Sequence, residues 1–376
     1  MTTAFATASV LQRYGEHLQN VEYQVPTAEP GALVVAMEVA TVCASDVHAW
    51  NGAYEGILPS SLPSILGHEG VGRIVEIGLG ADRDSMGTPL SVGDRVVWTP
   101  EPCMQCWVCT IDKDPASCPS KSIGMFTCSD TAPHFHGTFA EYSYVRPRAG
   151  RIRVPDEVAS TWASAASCAM RTVVKAIEKI GRIDHTDSVV IQGAGALGLF
   201  ATAILATRGP AQLVVVGAPD ARLEVAREWG ATHTCSIDDH PTPEARIAAV
   251  RALTHGRGAS IVIEVAGVPG AVAEGVEMVA RKGRYVLVGT AAGPLQPIAV
   301  HRIVTQDLTL MGSFSGDTDA YYKALEFMRA QRERFDWNRV LGERYPLDRV
   351  TDALRALSAH QGLKPVIIIN QMRQEN

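Results

Sequence analysis

The sequence lacks any apolar run long enough to cross a bilayer. The best candidate, residues 194–206, falls about one-third short of the roughly 20 residues that a membrane-spanning helix needs. A basic segment followed by an apolar one is missing from the N-terminal residues, so no signal peptide is expected. Excess positive charge is also missing, since the formal net charge is −6. The sequence therefore predicts a cytoplasmic protein whose partners include neither membrane nor nucleic acid.

Internal repeats and low-complexity linkers are absent as well, and a length of 376 residues favours two domains over one core. Residues 31–160 read as short strands and turns, whereas strand-type and helix-type segments alternate from about residue 161 to about residue 290. The strand-type segments are 188–192, 213–217, 260–265 and 284–289, and the helix-type segments between them are 196–209, 221–230 and 270–283. This alternation predicts right-handed βαβ crossovers and a doubly wound parallel sheet.

A glycine-rich turn follows the first of these strands, in the segment SVVIQGAGALGLFATAILA. Gly193, Gly195 and Gly198 would respectively allow the tight turn, let a pyrophosphate approach the backbone and permit close packing of helix on strand. Ala196 and Leu197 begin the helix, where free N–H groups face phosphates. A packing turn without a ligand is the alternative interpretation.

The second strand of a nucleotide-binding domain usually ends in an acidic residue that binds the ribose of NAD. Here that place is taken by Gly217, and the nearest acid is Asp220. Arg222 is a cation for the 2′-phosphate of NADP, but Asp220 opposes it. The sequence leaves NAD and NADP open and favours NAD.

Half of the eight cysteines lie in the segment PCMQCWVCTIDKDPASCP, as Cys103, Cys106, Cys109 and Cys118. Disulfides are rare in a reducing cytoplasm, so metal binding or catalysis is favoured. Four thiolates at this spacing can surround one zinc ion as a closed tetrahedron, which cannot bind substrate. An iron–sulfur cluster and a zinc-ribbon nucleic-acid module are the alternatives; the usual cluster spacing and the acidic charge disfavour them. Cys128 and Cys235 are expected to be ordinary small side chains.

A second, sparser set of metal-binding residues is spread over the segments VCASDVHAWNG, ILGHEGVGRIVEIG and SCAMRT. Cys43, His68 and Cys168 supply thiolate, imidazole and thiolate. Three protein ligands leave the fourth tetrahedral position open, as a catalytic zinc requires. Taken alone, Cys168 also fits a small buried hydrophobe, and His48 a surface or core histidine.

These motifs occur in the order found in zinc-dependent medium-chain alcohol dehydrogenases, and the sequence resembles that family over nearly its whole length, GDRV, GTFAEY and LTLMGS included. The resemblance implies a mostly-β, GroES-like catalytic domain at 1–168, a Rossmann doubly wound parallel-sheet cofactor domain at 169–305, and a return to the catalytic domain at 306–376. It also implies two zinc ions per subunit, one catalytic and one structural. A homodimer or homotetramer is implied too, joined at a sheet edge supplied by 284–290 or 308–313.

Carried over residue by residue, the family implies that Cys43, His68 and Cys168 bind the catalytic zinc. Glu69 resembles a carboxylate that either becomes a transient ligand or stays beside the metal. Asp46 would orient His68 through its free ring nitrogen.

The chemistry that the resemblance implies is alcohol oxidation: zinc lowers the pKa of the alcohol, and a hydride passes to the nicotinamide. Ser45 would accept the proton, and His48 would release it to water. Two departures stand out. Ala44 replaces an arginine that contacts the pyrophosphate in some members, and the Cys109–Cys118 spacing is one residue longer than usual.

The substrate is predicted to be a small alcohol or carbonyl compound, bound between the two domains. If Trp50 and Trp98 line the pocket, a bulky or cyclic secondary alcohol is favoured; if both are core residues, they carry no such information. A polyol or amino-alcohol dehydrogenase is the alternative within the family. A nucleotide-binding redox sensor with purely structural zinc is the non-enzymatic alternative.

Overall fold

The structure, a computed structural model, describes residues 4–56, 61–289 and 297–370. Its strands are β1 Phe5–Leu11, β2 Gln19–Gln24, β3 Leu33–Thr41, β4 Ser64–Ile65, β5 Gly70–Ile77, β6 Arg95–Trp98, β7 Tyr142–Val145, β8 Arg151–Arg153, β9 Ser188–Gln192, β10 Gln212–Gly217, β11 His233–Ser236, β12 Ala259–Glu264, β13 Val279–Leu287, β14 Thr309–Gly312, β15 Leu341–Pro346 and β16 Lys364–Ile368.

The helices are α1 Ala44–Trp50, α2 Trp107–Thr110, α3 Ser160–Ala165, α4 Arg171–Ile180, α5 Ala196–Ala206, α6 Asp220–Glu228, α7 Pro243–Leu253, α8 Ala271–Met278, α9 Val300–Thr305, α10 Thr318–Ala330 and α11 Val350–Ser358. A π-helical turn, Ala166–Met170, joins α3 to α4. None of the described helices has the length and apolar character that crossing a bilayer requires.

The chain divides into two compact units, residues 1–171 with 316–376 and residues 172–315. The sequence predicts these boundaries at 168/169 and 305/306. Both divisions share one feature, a C-terminal segment that rejoins the unit formed by the N-terminal half.

The unit of residues 172–315 contains a six-stranded sheet in the order β11-β10-β9-β12-β13-β14. All its strand pairs are parallel. The central strand β9 is apolar on both faces, as a sheet covered by helices on both sides requires. Helix α5 buries eight of its 11 residues, so it is apolar nearly all round. The prediction of a doubly wound parallel sheet is confirmed.

Two details of this sheet differ from the sequence prediction. The helix predicted over 270–283 ends at Met278, because Val279 begins β13 and pairs with Ala259. Segment 284–290 is not a sheet edge, since β13 pairs with β12 on one side and β14 on the other. Thr290, its last residue, lies outside the described residues. Among the described strands, β14 ends the sheet on that side.

The other unit is built mainly from antiparallel strands. One sheet runs β15-β16-β3-β5-β6-β8, with β7 paired to β3, and a three-stranded sheet runs β2-β1-β4. Strand β3 is the long central member and pairs with β5, β7 and β16. The chain thus combines a mostly-β unit with a parallel-sheet unit, which is the mixed α/β fold that the sequence predicts.

Candidate metal centres and cofactor site

The residues predicted to bind the catalytic zinc come together in the mostly-β unit. The ligand atoms of Cys43, His68, Glu69 and Cys168 all lie within 4.8 Å of one another. Cys43 is the N-cap residue of α1, and the backbone N–H of Cys43 donates to the Oδ2 atom of Asp46 at 2.8 Å. This capping contact fixes the cysteine at the end of β3, where the strand turns into the helix.

Asp46 is completely buried and holds His68 in a single orientation. Its Oδ1 atom lies 3.0 Å from Nδ1 of His68 and also accepts the backbone N–H of Gly67 at 3.2 Å. With Nδ1 hydrogen-bonded to a carboxylate, Nε2 remains as the nitrogen that can bind a metal. The predicted role of Asp46 requires this contact, and the role itself stays a prediction.

Cys168 lies in the middle of the π-helical turn Ala166–Met170, a local feature often found at functional sites. Arg171, buried at the start of α4, donates to the carbonyl of Ser167 in that turn and to the carbonyl of Gly316, the latter at 2.8 Å. Its guanidinium also stacks over the ring of Tyr321, 4.7 Å from the ring centroid. Arg171 therefore ties the cysteine-bearing turn to neighbouring elements of its own unit.

Glu69 is fully buried and forms an ion pair with Lys364, a residue of β16. Nζ of Lys364 lies 2.6 Å from each carboxylate oxygen of Glu69, and the hydroxyl of Thr41 donates to Oε2 at 2.5 Å. Burial raises the pKa of Glu69 to about 7, although Lys364 opposes that rise. Both oxygens are hydrogen-bonded beside the cluster, so the carboxylate would have to leave Lys364 to bind a metal directly.

The protonation of the cluster reflects its crowding. The neighbouring Cys168, followed by burial, raises the pKa of Cys43 to about 11. The same contact holds the pKa of Cys168 well below its usual value. Burial alone would lower the pKa of His68, but Asp46 and Cys168 outweigh it and hold that pKa well above 6.5. Two sulfurs this close cannot both ionise comfortably without a cation among them, which favours a metal site.

The two residues predicted to move a proton flank the cluster on α1. The hydroxyl oxygen of Ser45 lies 4.0 Å from the sulfur of Cys43. His48 is partly exposed and meets the ring of Tyr54 edge-on, with centroids 5.6 Å apart. Ala44 is exposed at the start of the same helix.

A cavity that opens to solvent adjoins His68, and all of its lining residues lie in the mostly-β unit. Trp98 and Met125 supply apolar wall, whereas Arg146 and His136 supply polar wall. Trp50 is not among the described lining residues; its indole N–H donates to a backbone carbonyl, that of Glu16, at 2.7 Å.

The four crowded cysteines also form a cluster, with ligand atoms within 4.8 Å of one another. The sulfur–sulfur distances are 3.5 Å for Cys106–Cys109, 3.9 Å for Cys106–Cys118 and 3.5 Å for Cys103–Cys118. A regular ZnS4 tetrahedron with ~2.3 Å bonds has edges of about 3.8 Å. All eight cysteines of the chain lie in its described part, and all are free thiols, so no disulfide competes with this interpretation.

The pKa values of two of these four cysteines are shifted in opposite directions. The backbone N–H of Gln105, more than any other contact, lowers the pKa of Cys103 to about 6. Burial raises the pKa of Cys109 to about 12. The Cys103 thiolate is readily formed while Cys109 resists ionisation, so four thiolates need a cation at their centre.

The glycine-rich turn takes the predicted place between β9 and α5. Gly193 has φ +118°, and a Cβ atom there would lie 2.9 Å from the backbone nitrogen of Ala266. A Cβ atom at Gly198 would overlap the carbonyl oxygen of Gly193. At Gly195, the N-cap of α5, a Cβ atom would meet no described atom within 4 Å. Packing therefore requires glycine at positions 193 and 198. Gly195 leaves the N-terminus of α5 open at Ala196 and Leu197.

The end of β10 shows why a glycine occupies the usual acidic position. A Cβ atom at Gly217 would lie 2.7 Å from the Cβ atom of Ala194, in the glycine-rich turn. Asp220 begins α6 and is exposed, whereas burial lowers the pKa of the Arg222 guanidinium. The sequence alone suggests that the carboxylate is missing because of cofactor choice. The close approach of Ala194 shows that packing also requires a glycine at position 217.

Several residues that surround the Cys43–His68–Cys168 cluster were not predicted. Lys364 and Thr41 hold Glu69, and Arg171 and Tyr321 support the turn that carries Cys168. A lysine within the apolar segment LKPVIIIN was the one signal that pointed to a buried charge.

Known proteins resemble this chain over nearly its whole length. Residues 29–156 match the family described as "Alcohol dehydrogenase GroES-like domain", and residues 196–330 match "Zinc-binding dehydrogenase". The 5-exo-hydroxycamphor dehydrogenase of Pseudomonas putida is 33% identical, covering 92% of this chain and 94% of the relative. L-threonine 3-dehydrogenase of Bacillus subtilis (strain 168) is 25% identical, with the same two coverages of 92% and 94%. The solved structure of an alcohol dehydrogenase from Thermotoga maritima is 30% identical, with TM-score 0.90 and coverage of 98% and 100%.

The fold and the similarity define an alcohol dehydrogenase of the medium-chain class. The chain belongs to the zinc-binding dehydrogenase family, as the order of its motifs predicts. It is an oxidoreductase that acts on alcohols with zinc and a nicotinamide cofactor, built from a GroES-like unit and a Rossmann-type parallel sheet.

Proposed function

We propose that this protein oxidises a bulky or cyclic secondary alcohol, or reduces the matching ketone, with a catalytic zinc at Cys43, His68 and Cys168. A second, structural zinc is held by Cys103, Cys106, Cys109 and Cys118. The observation that carries the proposal is the cluster of two thiols and one imidazole, in which Cys43 is buried, His68 and Cys168 are partly buried, and Nδ1 of His68 is held by Asp46. Three such donors suit zinc and leave one position for substrate.

The residues of the cluster fit a zinc ion in chemistry as well as in spacing. When bound there, zinc supplies a Lewis acid that lowers the pKa of an alcohol, and the nicotinamide cofactor accepts the hydride. Asp46 keeps Nε2 of His68 available, and Lys364 holds Glu69 as a partner beside the metal position. These contacts keep the ligands in place through the reaction.

Proton release is assigned to α1. Ser45 lies beside Cys43 and carries the hydroxyl that accepts the proton of the alcohol, and His48, partly exposed, passes it to water. Because α1 begins at the metal cluster and is partly exposed along His48, one short helix spans the distance from buried site to solvent.

The chemical character of the substrate is inferred from the residues that line the cavity beside His68. Trp98 gives this cavity a broad apolar wall, which suits a ring better than an extended polyol. The similar Pseudomonas putida protein is named for a hydroxylated camphor, which supports the same choice. An amino-alcohol dehydrogenase is the second candidate, and the similarity to an L-threonine 3-dehydrogenase favours it.

For the cofactor we propose NAD. The exposed Asp220 opens α6 directly after β10 and would repel a 2′-phosphate, whereas Arg222 is half-buried on the same helix. We further propose that the protein forms a homodimer or homotetramer through β14, the last described strand on its side of the sheet.

The test is an assay of cyclic, linear, polyol and amino alcohols with NAD and with NADP. Cys43→Ala should lower kcat/KM for every substrate by at least roughly 1,000-fold, since the several kcal/mol that the metal supplies are lost. Zinc content should fall from two ions per chain to one. Cys128→Ala is the matched control, because Cys128 is a free thiol outside both clusters. Undiminished activity in Cys43→Ala would contradict the catalytic assignment, and a preference for threonine over cyclic alcohols would favour the second candidate.

A further inference from the structure

Arg146, at the end of β7, lines the cavity that also contains His68. Its Nη2 group donates to Nδ1 of His136 at 3.3 Å. Within the described ranges 4–56, 61–289 and 297–370, no carboxylate lies close enough to form an ion pair with it. The cavity therefore has a cationic group whose neighbour is a neutral ring rather than an anion.

His136 is built to accept that hydrogen bond. The ring is 7% exposed, and its Nε2–H group donates to the carbonyl of Thr131 at 2.9 Å, which leaves Nδ1 as an acceptor. Burial lowers the pKa of His136 to about 4, so the ring stays neutral. A buried neutral histidine can orient the guanidinium, but it cannot neutralise its charge.

The second arginine of this segment is used differently. Arg148 forms an ion pair with Glu101 at 3.5 Å, and its Nε–H donates to the carbonyl of Pro102 at 3.3 Å. Glu101 is the acidic residue of the cavity wall, and Arg148 already neutralises it. The contrast leaves Arg146 as the cavity cation that is free to meet a ligand.

We propose that Arg146 recognises a second oxygen group of the substrate, a carbonyl or a carboxylate, away from the hydroxyl that is oxidised. The planar guanidinium offers paired N–H donors that match a planar oxygen acceptor, and an apolar alcohol would leave them without a partner. This inference rests on the proposed function, because it takes the cavity beside His68 as the substrate site. Arg146 then determines specificity, while the metal cluster determines reactivity.

The experiment compares three alcohols that differ in one substituent: cyclohexanol, 4-hydroxycyclohexanone and 4-hydroxycyclohexanecarboxylate. The wild-type enzyme should prefer one or both substituted alcohols. Arg146→Gln should lower kcat/KM for the preferred alcohol by roughly 10- to 100-fold, the value of a hydrogen bond to a charged group, and should leave cyclohexanol within about twofold. The preferred substrate shows whether a carbonyl or a carboxylate is recognised. Arg146→Lys should keep part of a preference for the carboxylate, since it retains the charge.

Arg153→Gln is the matched control, because Arg153 belongs to the same unit and its guanidinium binds Asp94 outside the cavity. Equal losses on all three alcohols in Arg146→Gln, or no loss on any of them, would overturn the inference. A calorimetric titration of cyclohexanone and cyclohexanecarboxylate measures recognition without turnover. If the wild-type enzyme binds either compound and Arg146→Gln does not, but no alcohol is oxidised, the proposed function fails while the inference survives. If the alcohols are oxidised without preference, the inference fails alone.

Discussion

Two clusters of thiols in one unit of this molecule are assembled in opposite ways. The four-cysteine lobe lies within one stretch, residues 103–118, and includes helix α2 and a 3-10 turn, Pro115–Ser117. The other cluster draws Cys43, His68 and Cys168 from three separate segments, spread over residues 43–168. A local stretch can supply four like donors and saturate a metal, whereas donors from distant segments can be arranged to leave one position free.

The two clusters also differ in how deeply their neighbouring side chains are buried. With Glu69 counted in the second, each cluster has two buried and two partly buried members, but around the lobe Trp107 is 69% exposed. Around the other cluster, Asp46 and Glu69 are completely buried and hydrogen-bonded. The buried charges stabilise only one arrangement of the ligands, so this site depends on the whole unit and the lobe depends mainly on itself.

Exchanging one ligand in each cluster should separate their roles most strongly. Cys168→Ser should lower kcat by at least roughly 1,000-fold while the thermal unfolding midpoint changes little, because the lost ligand serves the reaction. Cys106→Ser should have the reverse effect: a lower midpoint, with kcat per folded molecule reduced only several-fold. Differential scanning fluorimetry and kcat measurements on the same samples check both. Loss of turnover in Cys106→Ser at unchanged stability would remove the distinction between the clusters.

The second-largest effect is expected from breaking the buried ion pair between Glu69 and Lys364. Lys364→Met leaves the carboxylate of Glu69 buried without its cation, which should lower the free energy of unfolding by about 3 kcal/mol. The double variant Glu69→Gln with Lys364→Met should recover most of that loss, since no unpaired charge remains. Urea unfolding of the zinc-loaded protein measures both. As a control, Lys323→Met removes an exposed lysine paired with Asp319 and should cost less than about 1 kcal/mol.

A smaller effect is expected at the residue that orients the histidine. Asp46→Asn should weaken zinc binding at the Cys43–His68–Cys168 cluster by roughly 10- to 100-fold, as changes to carboxylate partners of metal-bound histidines do. The four-cysteine lobe should keep its affinity. Chelator competition that resolves two classes of zinc reads out both sites in one sample. Equal weakening at both sites would mean that Asp46 acts through general stability rather than through His68.

Elements that a local sequence pattern marks could be predicted from the sequence, whereas features that depend on contacts between distant residues could not. Strand β9 and helix α5 were recognisable because an apolar run, a glycine turn and an apolar helix follow one another within residues 188–206. Strand β11 has only four residues, and helix α7 carries its signal in a cap, where Thr242 accepts the N–H of Ala245 before Pro243 begins the helix. Both were missed because neither carries a strong hydrophobic period.

The cysteines and the histidine of the two clusters could be picked out for a similar reason, whereas the residues that support them could not. Cysteine and histidine have few uses at such spacings, so Cys43 and His68 were recognisable without any knowledge of what surrounds them. Lys364 lies 295 positions from Glu69, and nothing near it in sequence indicates a carboxylate partner. Ser164, whose hydroxyl lies 3.0 Å from that of Thr41, is equally ordinary in sequence. Such contacts exist only in the folded chain.

The π-helical turn that carries Cys168 has an evolutionary consequence. Such a turn contains one residue more than the α-helix requires, so removing a single codon within it would restore a regular helix. The helices on either side would keep their register, because the wider turn absorbs the extra residue, and only the residues within the turn would change direction. Cys168, in the middle of the turn, would then lose its present orientation towards Cys43 and His68. A deletion of three nucleotides within this turn would therefore disrupt the proposed metal site, while both β-sheet units keep their strands and no ligand is substituted.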